Sequence, residues 1–304
     1  MADTAAQRLA LAVAFLTGVL AALQARVNGV LGHRLGSAFT AALVSFVIGW
    51  VLLAALVLAR RPARRGLPRL RGAPWWVFLG GLGGATLVAG AAASAPVIGV
   101  ALLTVAQVGG QNASALGVDR FGFGPSGRMP VTLPRLGGAA LGLAAVLVAT
   151  LGRSGGQLSV PLLAVMVVAG CGVAGQVAVN GRLQQRSGDA TVAAFVNFTL
   201  GLVALAALVG VLGFAGRLGH PHWPANPLLY TGGVLGACFV SLAALVVRYV
   251  GVLRFSLATV AGQLAGGLVL DAISGGLEPA TAAGAVLTVI AVAVSGAGRR
   301  RLAS

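Results

Sequence analysis

The stretch QARVNGVLGHRLGSAFTAALVSFVIG at residues 24–49 returns 152 residues later as QVAVNGRLQQRSGDATVAAFVNFTLG at 176–201, without a gap and with 13 of 26 positions identical. The same offset carries Gly80, Gly81 and Gly84 onto Gly232, Gly233 and Gly236, Gln111 onto Gln263, and Asp119 onto Asp271. The chain is therefore a tandem duplication, and whatever one copy folds into, the other must fold into as well.

The solvent for that fold follows from composition. Of 304 residues, 58% are hydrophobic and 9% charged, with a mean hydropathy of +0.97; soluble domains carry about 25% charged residues. Apolar runs of about 20 residues, long enough to cross a hydrocarbon core of about 30 Å, are expected as helices at 9–31, 38–59, 75–94, 96–118, 135–152, 160–183, 190–214, 228–249, 250–271 and 280–298. The expected fold is all-α: a polytopic membrane protein of ten transmembrane helices, with one five-helix repeat in residues 1–155 and the second in 156–304. The first run could pass for a secretory signal. Its repeat at 160–183 lies mid-chain, so the first helix is expected to be retained.

A net charge of +16 raises the possibility of nucleic-acid binding. Such a binder needs a continuous basic face with aromatic platforms, whereas here the 21 basic residues, all Arg, sit in clusters between apolar runs. They report orientation instead, because short cytoplasmic loops carry the excess of Arg. With the N-terminus inside, 17 arginines fall on the inner side and four (Arg26, Arg34, Arg153 and Arg217) on the outer. Both termini are expected in the cytoplasm, and the clusters, above all Arg60, Arg61, Arg64, Arg65, Arg69 and Arg71, are expected to meet anionic lipid.

Five helices per copy is an odd number, so the second copy enters the membrane from the opposite side and the repeats are inverted. The loops agree. The six-arginine linker after helix two has as its counterpart AGRLGHPHWPANP, with Arg217 alone, while Arg248 and Arg254 stand where the first copy has Pro96 and Leu102.

The pattern QxxxN followed by GxxxxxLxSF, here Gln24, Asn28, Gly36, Leu43, Ser45 and Phe46, resembles the YdcZ-like branch of the drug/metabolite transporter superfamily. The second copy has Gln176, Asn180, Gly188 and Phe198, with Phe195 in place of Leu and Asn197 in place of Ser. The resemblance covers about 9–152 and 160–298, as two five-helix units fused. It implies a secondary transporter for a small metabolite or drug-like molecule in a bacterial inner membrane, without specifying the substrate. A non-transporting membrane scaffold is the alternative.

Polar side chains inside a bilayer face the bundle interior or a wet cavity. Gln24 and Asn28 share one helix face, as do Gln176 and Asn180. Two roles fit them: polar gates at the two mouths of a path, or ties from each Asn across a hairpin to Ser45 and Asn197. Gln107, Gln111, Asn112 and Gln263 are expected near the midplane as substrate contacts. Thr259 stands at the repeat position of Gln107, which predicts an asymmetric cavity. Asp119 and Asp271 end their helices and read as rim residues, and Arg34 and Arg186 read as caps on helix C-termini.

No acid falls mid-span, and His33, His220 and His222 fall in loops, which predicts facilitated or exchange-type transport. No catalytic set converges, so no enzyme, cofactor or metal is expected. Cys171 and Cys238 read as packing residues. The partners expected are the substrate and lipid, and a homodimer is left open.

Overall fold

The computed structural model describes residues 2–98, 100–151, 159–218 and 221–273, with isolated positions at 283, 286, 287, 290 and 294. Among them there is no strand. The helices are α1 (Ala2–Leu35), α2 (Ala38–Ala59), the short α3 (Arg61–Gly66), α4 (Gly80–Ile98), α5 (Val100–Phe121), α6 (Leu133–Leu151), α7 (Val160–Ser187), α8 (Ala190–Phe214), α9 (Gly232–Val250) and α10 (Val252–Ile273). Single 3-10 turns at Trp75–Leu79 and Pro227–Tyr230 lead into α4 and α9. Every expected span up to 271 coincides with one of these helices; the one at 280–298 lies outside the described residues apart from the isolated positions.

Among the described residues, five segments are long and apolar enough to cross a membrane: Ala5–Leu35, Ala38–Ala59, Val160–Ser187, Ala190–Phe214 and Pro227–Val250. The helices α1 and α7 outrun their expected ends because the polar residues after each apolar run continue the helix. His33, expected in a loop, consequently lies in the last turn of α1.

The ends of these two long helices explain one glycine of the motif. Gly36 and Gly188 both have positive φ, 68° and 78°, the left-handed conformation that closes a helix and that side chains with a Cβ resist. The next residue caps the following helix: Ser37 Oγ accepts from the Thr40 N–H, and Asp189 Oδ1 from the Thr191 N–H. Ser37 and Asp189 differ in type but hold the same repeat position, and both are favoured N-caps.

The two halves do not fold side by side. The first helix, α1, packs on α9 and α10, α7 packs on α4 and α5, and α2 packs on α8. Each long helix thus lies chiefly against helices of the other copy. Where α2 crosses α8, Phe46 and Phe198, which are repeat equivalents, stack with ring centroids 4.9 Å apart. Phe46 covers Gly201 and Phe198 covers Gly49.

The close crossings are built on small residues, as bilayer helices require when lipid tails compete for apolar contact. A Cβ at Gly18 would collide with the Thr259 carbonyl, and one at Gly170 with the Gln107 carbonyl; a Cβ at Gly262 would meet the Phe15 carbonyl and one at Gly110 that of Val167. These are two copies of one contact, since each pair differs by the repeat offset.

Helix α7 contains its own control, because a Cβ at Gly175 has nothing within 4 Å. Gly170→Ala is expected to destabilise the protein by about 1–3 kcal/mol through overpacking. Gly175→Ala should be neutral or stabilising by up to about 1 kcal/mol through helix propensity. Thermal unfolding of the detergent-solubilised chain compares them directly.

Candidate functional site

In each half the motif's Asn is bonded across the hairpin to the next helix. Ser45 Oγ donates to Asn28 Oδ1 at 2.6 Å, and Asn180 Nδ2 donates to Asn197 Oδ1 at 3.1 Å. A hydroxyl and an amide perform the same task at the repeat position with the direction reversed, Ser45 donating to its Asn and Asn197 accepting from its own.

These polar pairs sit against the glycine motif of the opposite copy. Asn28 and Ser45 face Gly232, the first residue of α9, and Gln24 faces Gly236. In the other copy, a Cβ at Gly80, the first residue of α4, would lie 2.8 Å from Asn180 Oδ1 and 3.2 Å from Asn197 Oδ1, and one at Gly84 would lie 3.1 Å from Gln176 Oε1. Each QxxxN face therefore docks on a GGxxG face of its partner repeat. The glycines remove the side chains that would hold the amides off, and the first turn of a helix presents backbone N–H groups without intrahelical partners.

The two sites differ in burial. Gln176, Asn180 and Asn197 are all less than a tenth exposed, whereas Gln24 and Asn28 are half-buried beside a buried Ser45. In the more buried second-copy site, Gln176 Oε1 and Asn180 Oδ1 have no hydrogen-bond partner among the described residues.

The amides expected near the midplane do not converge on one point. Gln107 and Gln111 are buried on α5, where Gln107 Nε2 donates to Gln111 Oε1 at 3.4 Å, and their turn packs on Gly170 of α7. Asn112 is fully buried and turned the other way, toward Gly142 of α6, with neither amide atom bonded within the protein. Gln263 is half-buried on α10, where its backbone packs on Gly18 of α1. Thr259 donates to the Ala14 carbonyl beside Thr17, 3.3 Å away.

The rim reading of Asp119 is corrected. It lies at the end of α5, but it is 1% exposed, and Arg135 donates to Asp119 Oδ2. The carboxylate also accepts from the Val252 and Leu253 N–H groups at 3.0 and 3.1 Å. It is an N-cap supplied to α10 from α5, favoured because carboxylates suit the positive end of a helix. Asp271 lies in the last turn of α10, and its side chain is outside the described residues.

The capping role expected of Arg186 is also replaced. It donates to the carbonyls of Arg69 and Arg71, and Arg182 donates to those of Phe123 and Gly122. Sequence reading passed over Arg182 and Arg135 except as markers of topology. It also missed Ser94 and Ser256, fully buried with no partner for either hydroxyl, because isolated serines in apolar helices carry no pattern.

The pattern of the family described as "Putative inner membrane exporter, YdcZ" matches residues 9–148 and again 161–297. The chain belongs to this family. The double match makes it two fused YdcZ units, an integral inner-membrane protein of a transporter family. No curated protein matches. A solved structure described as "Crystal structure of protein" is 23% identical over 99% of this chain and 99% of its own, with a TM-score of 0.65; it shares the fold.

The Asp119–Arg135 pair yields a test within this YdcZ fold. Arg135→Leu leaves a buried carboxylate with backbone donors only and is expected to cost about 3–5 kcal/mol. Adding Asp119→Asn should restore part of that loss by removing the charge. Unfolding midpoints of the single and double variants measure the coupling.

Proposed function

We propose that this protein moves a small metabolite or drug-like molecule across the bacterial inner membrane by alternating access, using ten transmembrane helices arranged as an inverted 5+5 repeat. The observation that carries the reading is the paired docking of QxxxN on GGxxG at a constant offset, with the amides buried in the second copy and half-buried in the first. Inversion puts these two sites toward opposite faces of the membrane. A protein whose two ends differ in exposure in this way has the asymmetry that an alternating-access cycle requires, and exchanging the two conditions exposes a central path to the other side.

In this scheme Gln24 and Asn28 form the outer gate and Gln176 and Asn180 the inner one, with Ser45 and Asn197 as their latches. Gln107, Gln111, Asn112 and Gln263 contribute amides to the substrate path, and its asymmetry follows from Thr259 replacing Gln107. Asp119 is committed to Arg135 and to two backbone N–H groups, which favours exchange or facilitated transport over a proton relay at this carboxylate.

The scaffold reading is favoured by a separate observation: Gln107 and Gln111 are buried where α5 packs on α7 and bond each other. Flux decides between the two. In proteoliposomes loaded with a metabolite mixture, wild-type protein is expected to catalyse counterflow of at least one labelled compound. Asn28→Leu and Asn180→Leu should each slow it, with opposite preference for direction. Absence of counterflow for every compound supports the scaffold; equal slowing in both directions removes the gate assignment.

Topology has its own check. With both termini cytoplasmic, a C-terminal green fluorescent protein fusion should fluoresce, and a C-terminal alkaline phosphatase fusion should be inactive.

A further inference from the structure

The last turns of α7 carry Arg182, Gln185 and Arg186, over which the segments at 69–77 and 122–127 fold to leave an open cleft of about 450 Å³. Its lining includes Pro74, Val77, Gly127, Arg182, Gln185 and Arg186, and no Asp or Glu. The two guanidiniums are held in place from behind. Arg186 Nε donates to the Arg69 carbonyl at 3.0 Å and its NH2 to that of Arg71 at 3.1 Å. Arg182 Nε donates to the Phe123 carbonyl at 2.7 Å, its NH2 donates to that of Gly122, and the group lies 5.3 Å from the centroid of the Trp76 ring. Gln185 Nε2 is fixed on the Pro125 carbonyl at 2.9 Å.

A guanidinium has five N–H donors, so these bonds occupy two on each Arg and leave three on each. Carbonyl oxygens are neutral acceptors and do not cancel the two charges. The result is a pair of preorganised cations at the mouth of a cleft whose wall is apolar at Pro74, Val77 and Leu183. Fixed guanidiniums match tetrahedral oxyanions by forked, charge-assisted bonds. The apolar wall suits the organic part of a phosphate ester.

We propose that this cleft is a binding site for an anionic phosphate ester, held by Arg182 and Arg186. Two sources present that chemistry, the headgroup of an anionic membrane phospholipid and a soluble phosphate ester. The site rests on the geometry of the cleft and is independent of the transport reading.

The test uses the full chain purified from mixed micelles of phosphatidylglycerol and phosphatidylcholine, with retained lipid counted by mass spectrometry. Wild-type protein is expected to retain phosphatidylglycerol preferentially, and less of it at high salt because the site is partly solvated. Gln185→Glu sets a carboxylate beside both cations and leaves the arginine anchors in place; it should lower retention roughly ten-fold, the loss of about one charge-assisted hydrogen bond. Arg182→Gln with Arg186→Gln should do the same. Arg34→Gln with Arg217→Gln removes equal charge from exposed positions outside both the cleft and the arginine cluster and should leave retention nearly unchanged. Unfolding in phosphatidylcholine alone confirms that each variant is folded, and Gln185→Glu is the deciding variant if the double substitution unfolds.

Displacement of the lipid by millimolar glycerol phosphate assigns the site to soluble esters, and retention in its presence assigns it to the lipid. Equal losses in the cleft and control variants, or no preference for the anionic lipid in the wild type, overturn the proposal.

Discussion

The fold depends on settling a few amides inside an apolar bundle. An amide left without partners in hydrocarbon costs several kcal/mol, and Asn28 and Asn180 each find one partner on the neighbouring helix of their own copy. Their remaining surface is set against Gly232 and Gly80, which belong to the other copy. Neither repeat can complete this arrangement alone. The interleaving of α1 with α9 and α10, and of α7 with α4 and α5, is the packing that brings each QxxxN face to its glycines. Fusion of two units in one chain guarantees that a partner is always present.

Duplication would give two equivalent conformations if the halves were identical, since exchanging their roles would change nothing. This chain breaks the equivalence at particular positions. Ser45 stands where the second copy has Asn197, Gln107 where it has Thr259, and Arg135 where it has Leu287. Differences of a few kcal/mol are enough to populate one state over the other, and the structure has the second-copy motif buried and the first half-buried.

What was legible in the sequence was whatever the repeat or the hydropathy encoded. The spans were readable because each apolar run lasts a bilayer's width, and the Asn ties because Ser45 and Asn197 recur 17 residues after Asn28 and Asn180. Opaque features were those decided by packing between distant segments. The placement of Asp119 at the start of α10 depends on residues 133 and 134 positions away, and no local pattern marks it. Arg182 and Arg186 read as cytoplasmic arginines, and nothing in their spacing shows that the carbonyls of two loops would receive them. Gln107 and Asn112 lie five residues apart, a separation that turns them to different faces of α5, and the structure sets them on different neighbours.

Hydrogen bonds and ion pairs among the described residues also differ in kind between the two ends. At the arginine-rich end, Arg60 reaches Thr191 and Asp189, Arg182 and Arg186 hold two loops, and Asp119 joins α5, α6 and α10. These bonds link segments more than 50 residues apart, with the Arg135 bond to Asp119 as the shorter exception, and most involve an ionised partner. At the other end the loop before α9 is held by short-range hydrogen bonds, Tyr230 to the Pro224 carbonyl and the Leu228 N–H to Asn226, and by Leu229 and Tyr230 packed on Leu31, Leu35 and Ala41. Separating the first end requires breaking several charge-assisted bonds together, while the loop before α9 is held to its neighbours by apolar packing. The ends therefore differ in the work of opening, in the same sense as the difference in burial between the two QxxxN sites. On the transport reading, the slow step of the cycle is the opening of the arginine-rich end, and a ligand seated between Arg182 and Arg186 would act on that step by holding the two loops against α7.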